Sequence, residues 1–130
     1  MKTYVLKKAP ADVVAPASGQ KFLIDYRNEL NPAQYAAATS VNGPHLIVAG
    51  AGTGKTRTIT FRVAYLVELG VKPESILLLT FTRRAAQEML RRASTLLDAR
   101  CDRVAGGTFH SFANLVLRQY APLIGFQSSF

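Results

Sequence analysis

Ala49-Gly50-Ala51-Gly52-Thr53-Gly54-Lys55-Thr56 follows the apolar run His45-Leu46-Ile47-Val48 and precedes an amphipathic stretch beginning near Arg57. This order predicts a strand, a glycine-rich turn and a helix, the setting in which a phosphate-binding loop works. The glycines let the backbone turn sharply and bring its N–H groups close to an anion with no Cβ in the way. The open N-terminus of the following helix adds unpaired donors and a partial positive charge. Lys55 has the reach and charge for β- and γ-phosphates, and the Thr56 hydroxyl suits Mg²⁺. The expected ligand is a nucleoside triphosphate with its magnesium ion. In the pattern G-x-x-x-x-G-K-[ST] the first glycine is here Ala49, which fits where that residue ends a strand at negative φ. A glycine-rich turn that binds nothing is the competing reading, and the Gly-Lys-Thr ending in this context argues against it.

Upstream, Asn31-Pro32 predicts a helix start, with Asn31 as N-cap and Pro32 in the first helical position. The helix runs through Gln34 to about Val41, where Asn42-Gly43-Pro44 stops it. Residues 1–29 show little periodicity and are expected to form a loosely packed N-terminal arm, with short extended pieces at 3–6 and 21–26. Downstream, Ile59, Val63, Leu66 and Val67 recur at helical spacing, and Gly70 closes that helix. Ile76-Leu77-Leu78-Leu79-Thr80 reads as a strand buried on both faces. A helix is expected from Arg83 to about Asp98, a strand over 103–108 weakened by Gly106-Gly107, and a last helix from His110 to Ile124. Alternating helices and strands imply an α/β fold: a small, incomplete parallel sheet of three strands (45–49, 76–80 and 103–108) between helical layers.

The 130 residues allow one domain. With 48% hydrophobic residues, either both sheet faces are covered or an apolar surface awaits a partner. Sixteen Lys and Arg against eight Asp and Glu give a net charge of +8, which favours a polyanionic partner, nucleic acid or an anionic membrane surface. No stretch approaches the length that crosses a bilayer, and Lys7-Lys8 interrupt any secretion signal at the start. Cys101 alone excludes an internal disulfide and is expected to be a partly buried thiol. A cytoplasmic setting is expected. Hydrolysis of a triphosphate also needs a carboxylate for the metal, normally at the end of an apolar strand. After residue 56, Glu68, Glu74, Glu88, Asp98 and Asp102 all fall on helices or polar loops, so this chain is expected to bind nucleotide and hydrolyse little.

Four stretches occur in order: Leu30-Asn31-Pro32-Ala33-Gln34, the loop, Leu79-Thr80-Phe81-Thr82-Arg83-Arg84-Ala85-Ala86-Gln87-Glu88-Met89, and Gly107-Thr108-Phe109-His110-Ser111-Phe112. This resembles the N-terminal part of the UvrD/Rep/PcrA-type superfamily 1 DNA helicases, over residues 30 to about 126. The resemblance implies a RecA-like P-loop domain over 30–130 that stops before the Walker B acid pair. It implies that Gln34 reads the adenine edge of ATP, that the Walker A residues Ala49, Gly50, Ala51, Gly52, Thr53, Gly54, Lys55 and Thr56 hold its phosphates and Mg²⁺, and that Arg57 lies near the nucleotide. It further implies that Phe81, Thr82 and Arg83, with Thr108, His110 and Ser111, contact single-stranded DNA or a single-strand/duplex junction. A stacking ring at Phe81 suits a motor indifferent to sequence. Arg83-Arg84 stand where the family often has Asn-Lys, which keeps the charge and loses the amide. From the residues alone, Gln34 also reads as an exposed helix residue, Phe81 as core, and Thr108 and Ser111 as helix caps. Arg91, Arg92, Arg100 and Arg103 read as a solvated face.

The whole protein so implied is an ATP-dependent 3′-to-5′ DNA helicase of replication or repair. ATP would open and close a cleft between this segment and the rest of the helicase chain, whose arginines would complete the site. The alternatives are a stand-alone, non-catalytic nucleotide- or nucleic-acid-binding module, a small-molecule kinase on the same loop, and a RecB-like helicase–nuclease.

Overall fold

The computed structural model describes residues 16 and 18–129; the expected extended piece at 3–6 lies outside them. Helices α1 (Tyr26–Glu29), α2 (Pro32–Thr39) and α3 (Lys55–Glu68) come first, then strand β1 (Leu77–Thr80), helix α4 (Arg83–Leu96), strand β2 (Ala105–Thr108) and helix α5 (Phe109–Tyr120). Three-residue to five-residue 3-10 turns at Pro73–Ser75, Ala99–Arg103 and Ala121–Ile124 complete the order. The strands pair in parallel, with Leu77 opposite Ala105 and Thr80 opposite Thr108. The architecture is α/β: a two-stranded parallel sheet flanked by helices.

Each helix begins where the local chemistry predicts. Asn31 forms a capping box with Gln34, and Pro32 follows in the first turn. Thr82 caps α4 and Thr108 caps α5 through their side chains. Helix α2 stops at Thr39, short of the expected Val41. Arg62 then donates to the carbonyls of Ala37 and Ser40, satisfying the orphan acceptors of that end. Helix α4 stops at Leu96 because Asp98 is used otherwise: its Oδ1 accepts from the Arg100 N–H at 2.9 Å and starts a turn. Helix α5 gives way at Ala121 to a 3-10 turn that contains Pro122, which has no N–H to continue it.

Helix α3 is the element on which both cores close. Val63 and Val67 pack with Ile76, Leu78, Met89, Ala93, Cys101 and Val104 beneath the sheet. Phe61, Ala64 and Tyr65 pack on its other side with Ile24, Tyr26, Leu30 and Ala38. Thr58 and Thr60 are buried too, and their hydroxyls donate to the carbonyls of Gly54 and Thr56 within the helix.

Three expectations are corrected. Residues 45–49 form no paired strand: Leu46 is 90% and Val48 88% exposed, and no neighbouring strand among the described residues supplies the ladder that would make this apolar run a strand. The sheet accordingly has two strands, and β1 is covered on one face, with Leu78 buried but Leu77 44% exposed. The stretch over 21–26 is no loose extended piece. Ile24, Tyr26 and Leu30 are core residues, and the segment is tied down where the Leu23 N–H and Tyr26 hydroxyl donate to the Glu68 carboxylate and the Gln20 amide donates to its carbonyl. The last strand is shorter than 103–108, running Ala105–Thr108, and its Gly106 and Gly107 let it sit close under its helices. A Cβ on Gly106 would lie 2.6 Å from Leu90 Cδ1, and one on Gly107 2.9 Å from Ser111 Oγ.

Candidate nucleotide and nucleic-acid site

The first group of candidate residues surrounds the loop. Gly52 and Gly54 turn through φ of 73° and 81°, which only glycine adopts without strain. The Thr53 hydroxyl donates to the Gly50 carbonyl at 2.6 Å and closes the loop on itself. Gly54 is the N-cap of α3 and offers no side chain to the amides behind it, unlike Asn31, Thr82 and Thr108 on the other long helices. The first N–H groups of α3 therefore keep their capacity and their share of the helix dipole for an external anion. Lys55 and Thr56 are exposed, and neither side chain makes an ion pair or hydrogen bond among the described residues. Uncapped amides, a free ammonium and a free hydroxyl fit a polyphosphate with a hard cation beside it. Ala49 is half-buried where the 45–49 stretch enters the loop, and Gly50 and Ala51 are exposed.

Gln34 and Arg57 flank this loop. The Gln34 Oε1 accepts from the Asn31 N–H at 3.1 Å, and its Nε2 donates to the Thr53 carbonyl at 3.3 Å. The capping glutamine of α2 thus doubles as a brace on the loop, and each end of its carboxamide keeps one more hydrogen-bonding position. Glycine is required here by its φ, and a Cβ on Gly54 would lie 2.6 Å from that Nε2 and push the carboxamide aside. Arg57 Nη2 donates to the Glu29 carbonyl at 3.0 Å and to Glu29 Oε2 at 2.9 Å, with the guanidinium 4.7 Å above the Phe61 ring.

The second group stands at the C-terminal edge of the sheet. Because Thr80 and Thr108 are paired in register, Phe81-Thr82-Arg83 and Phe109-His110-Ser111 emerge side by side. Phe81 is 93% exposed, which removes the core alternative for this residue. Its ring lies 6.2 Å from that of Phe109, tilted by 54°. The Thr82 hydroxyl accepts from the Ala85 N–H and caps α4. Ser111 Oγ accepts from the Thr108 N–H and donates to the Thr108 carbonyl, so both its valences turn inward and the capping alternative describes it. Arg83 and His110 are exposed. No hydrogen bond or ion pair among the described residues joins this group to the loop.

Several carboxylates among the described residues are engaged away from the loop. Hydrogen bonds from Arg91 and then Arg92 hold the Glu88 carboxyl down at about 2. Arg100 lowers Asp98 in the same way, and Glu68 anchors Tyr26, whose phenol is raised by burial first and by that carboxylate second. Burial also raises the Cys101 thiol, which is wholly enclosed and not partly buried as expected. Among the described residues no three His, Cys, Asp or Glu converge to hold a metal, and no helix is long and apolar enough to cross a membrane.

Two site residues escape a reading of the sequence. Phe109 repeats the Thr-Phe pair that ends β1, and that repetition was the available signal. Glu29 carries no sequence signal, since the last residue of α1 meets Arg57 of α3 only through the fold.

Comparison with known proteins gives a consistent answer. The UvrD/REP helicase N-terminal domain family model matches residues 30–130. The chain is 44% identical over 102 residues to the ATP-dependent DNA helicase PcrA of Bacillus subtilis, a match covering 78% of this chain and 14% of that protein. It is 42% identical over 104 residues to PcrA of Staphylococcus aureus, covering 79% and 14%. A probable DNA helicase II homolog of Rickettsia felis is 44% identical over 95 residues, covering 72% and 14%. The chain thus spans about 14% of the length of these curated relatives.

Proposed function

The chain belongs to the UvrD/REP helicase N-terminal domain family, and from that premise we propose that it is the ATP-binding start of an ATP-driven, 3′-to-5′ DNA helicase of replication or repair, working in the cytoplasm. The observation that carries this reading is the loop: a glycine turn ending in an uncapped helix N-terminus beside Lys55 and Thr56, whose side chains have no partner among the described residues. In this reading 30–130 is the first part of a RecA-like P-loop domain and 49–56 its Walker A segment. Backbone N–H groups from Gly50 to Thr56 and the Lys55 ammonium hold the phosphates, and Thr56 holds Mg²⁺. Bound Mg²⁺ neutralises phosphate charge. Gln34 uses its remaining donor and acceptor on the adenine edge, and Arg57 lies against the nucleotide.

The paired strand ends form the DNA contact. Phe81 offers a face for any base, Arg83 a charge, and Thr82, Thr108 and His110 polar groups for phosphate. Ser111 acts through Thr108, whose hydroxyl it accompanies at 3.1 Å. The acid that completes the metal site and the arginines that close on the nucleotide come from the remainder of the helicase chain, so this segment alone binds nucleotide and hydrolyses little. The test is binding of a fluorescent ATP analogue to the whole protein and to its Lys55→Ala variant. A large loss of affinity is expected; unchanged binding would refute the phosphate-loop assignment.

A further inference from the structure

Arg57 already has an anion. Its Nη2 carries two hydrogen bonds to Glu29, one to the carbonyl and one to the carboxylate, and its plane stands over Phe61. No other N–H of that guanidinium is bonded among the described residues. The contact also aims the side chain, because Arg57 lines the cleft between α3 and α4 that Arg91 and Arg92 share. Those two guanidiniums have a single carboxylate between them, Glu88. Glu29 is therefore the group that balances the third positive charge at this cleft. It is held in place from both sides: Tyr26 before it and Leu30 after it are buried in the core, and Asn31 opens the capping box whose Gln34 braces the loop.

We infer that Glu29 is a positioning residue for nucleotide binding: an internal counter-anion that holds Arg57 off the ligand and that the nucleotide must displace. The inference rests on the phosphate-loop reading above. The pair is suited to exchange, because its side chains are 49% and 52% exposed, and such pairs are weak and broken without stranding a buried charge. A ligand that needs Arg57 free binds with an affinity reduced by the fraction of molecules in which it is free. For an exposed pair that reduction is about two- to five-fold.

The test uses the whole protein with a fluorescent ATP analogue and steady-state ATPase kinetics. Glu29→Gln is expected to bind ATP about two- to five-fold more tightly and to lower KM with kcat unchanged. Glu29→Asp, which keeps the charge, is expected to bind like the parent. In an Arg57→Ala background the gain from Glu29→Gln is expected to vanish, since nothing remains to release. Unchanged or weaker binding in Glu29→Gln overturns the inference, and so does an equal gain without Arg57. Lys55→Ala in the same series separates the two claims. If it leaves ATP binding intact, the loop reading fails and takes this one with it. If it removes binding while Glu29→Gln changes nothing, only the role of Glu29 fails.

Discussion

Gly54 shows how much one position can be asked to do. Its φ of +81° lies where an L side chain is strained, and a Cβ would press on the Gln34 amide. Gly54→Ala is expected to cost about 1–2 kcal/mol of stability in urea denaturation from the backbone alone. It should also weaken binding of an ATP analogue, because the brace on Thr53 is pushed away; full binding with full stability would show that the loop does not depend on this turn. Phe81 and Phe109 make the complementary case, of side chains whose cost is on display. Two exposed rings stand 6.2 Å apart, and in the proposed function they offer a surface for a base. Alanine at either position is expected to weaken oligo(dT) binding by the whole protein by about 1–3 kcal/mol. The salt dependence of binding should stay the same, since no cation is removed. A variant that instead flattened the salt dependence would place the ring outside the stacking contact.

Among the elements, α4 depends most visibly on pH. Glu88 lies one turn before Arg91 and Arg92 and accepts from both, which holds its carboxyl at about 2 against an ordinary 4.5. A carboxylate lowered on folding adds stability above its ordinary value and loses it as pH falls through the lowered one. The melting temperature of the parent should therefore exceed that of Glu88→Gln by a constant margin above about pH 4.5, and the margin should shrink toward pH 2. A margin independent of pH would mean that the ion pairs contribute through packing alone. At this scale the sequence was legible wherever the signal is local. Asn31-Pro32 opens α2, Thr82 opens α4, and Gly70 follows α3, because caps are decided by a few adjacent residues. The end of α4 was not legible, since whether Asp98 continues a helix or caps Arg100 is settled by a competition between two nearby hydrogen bonds. Nor was 45–49. Its apolar run is correct for a strand, but pairing is supplied from elsewhere in the molecule and leaves no mark on the run itself.

At the scale of the whole molecule, two clusters of described residues lie on opposite sides of one helix, and Leu77 on the other face of the sheet is 44% exposed. Of the candidate site, the loop could be read directly, because its glycines and Lys55 sit together in sequence. The edge formed by Phe81 and Phe109 could be read only in halves, since their adjacency depends on the pairing of Thr80 with Thr108. The shared helix has a dynamic consequence. Phe61 and Val67 are each no more than 2% exposed and belong to different clusters, so neither cluster can open without disturbing the other's wall. Backbone amides in the middle of α3 should then exchange with deuterium only through an opening that spans both clusters, more slowly than those of α5, which buries none of its residues. Exchange mass spectrometry should return one slow class for peptides from α3 and its two flanks; two separate rates would mean that the clusters open independently. On that expectation the loop at the head of α3 is mounted on a helix that lets solvent in late.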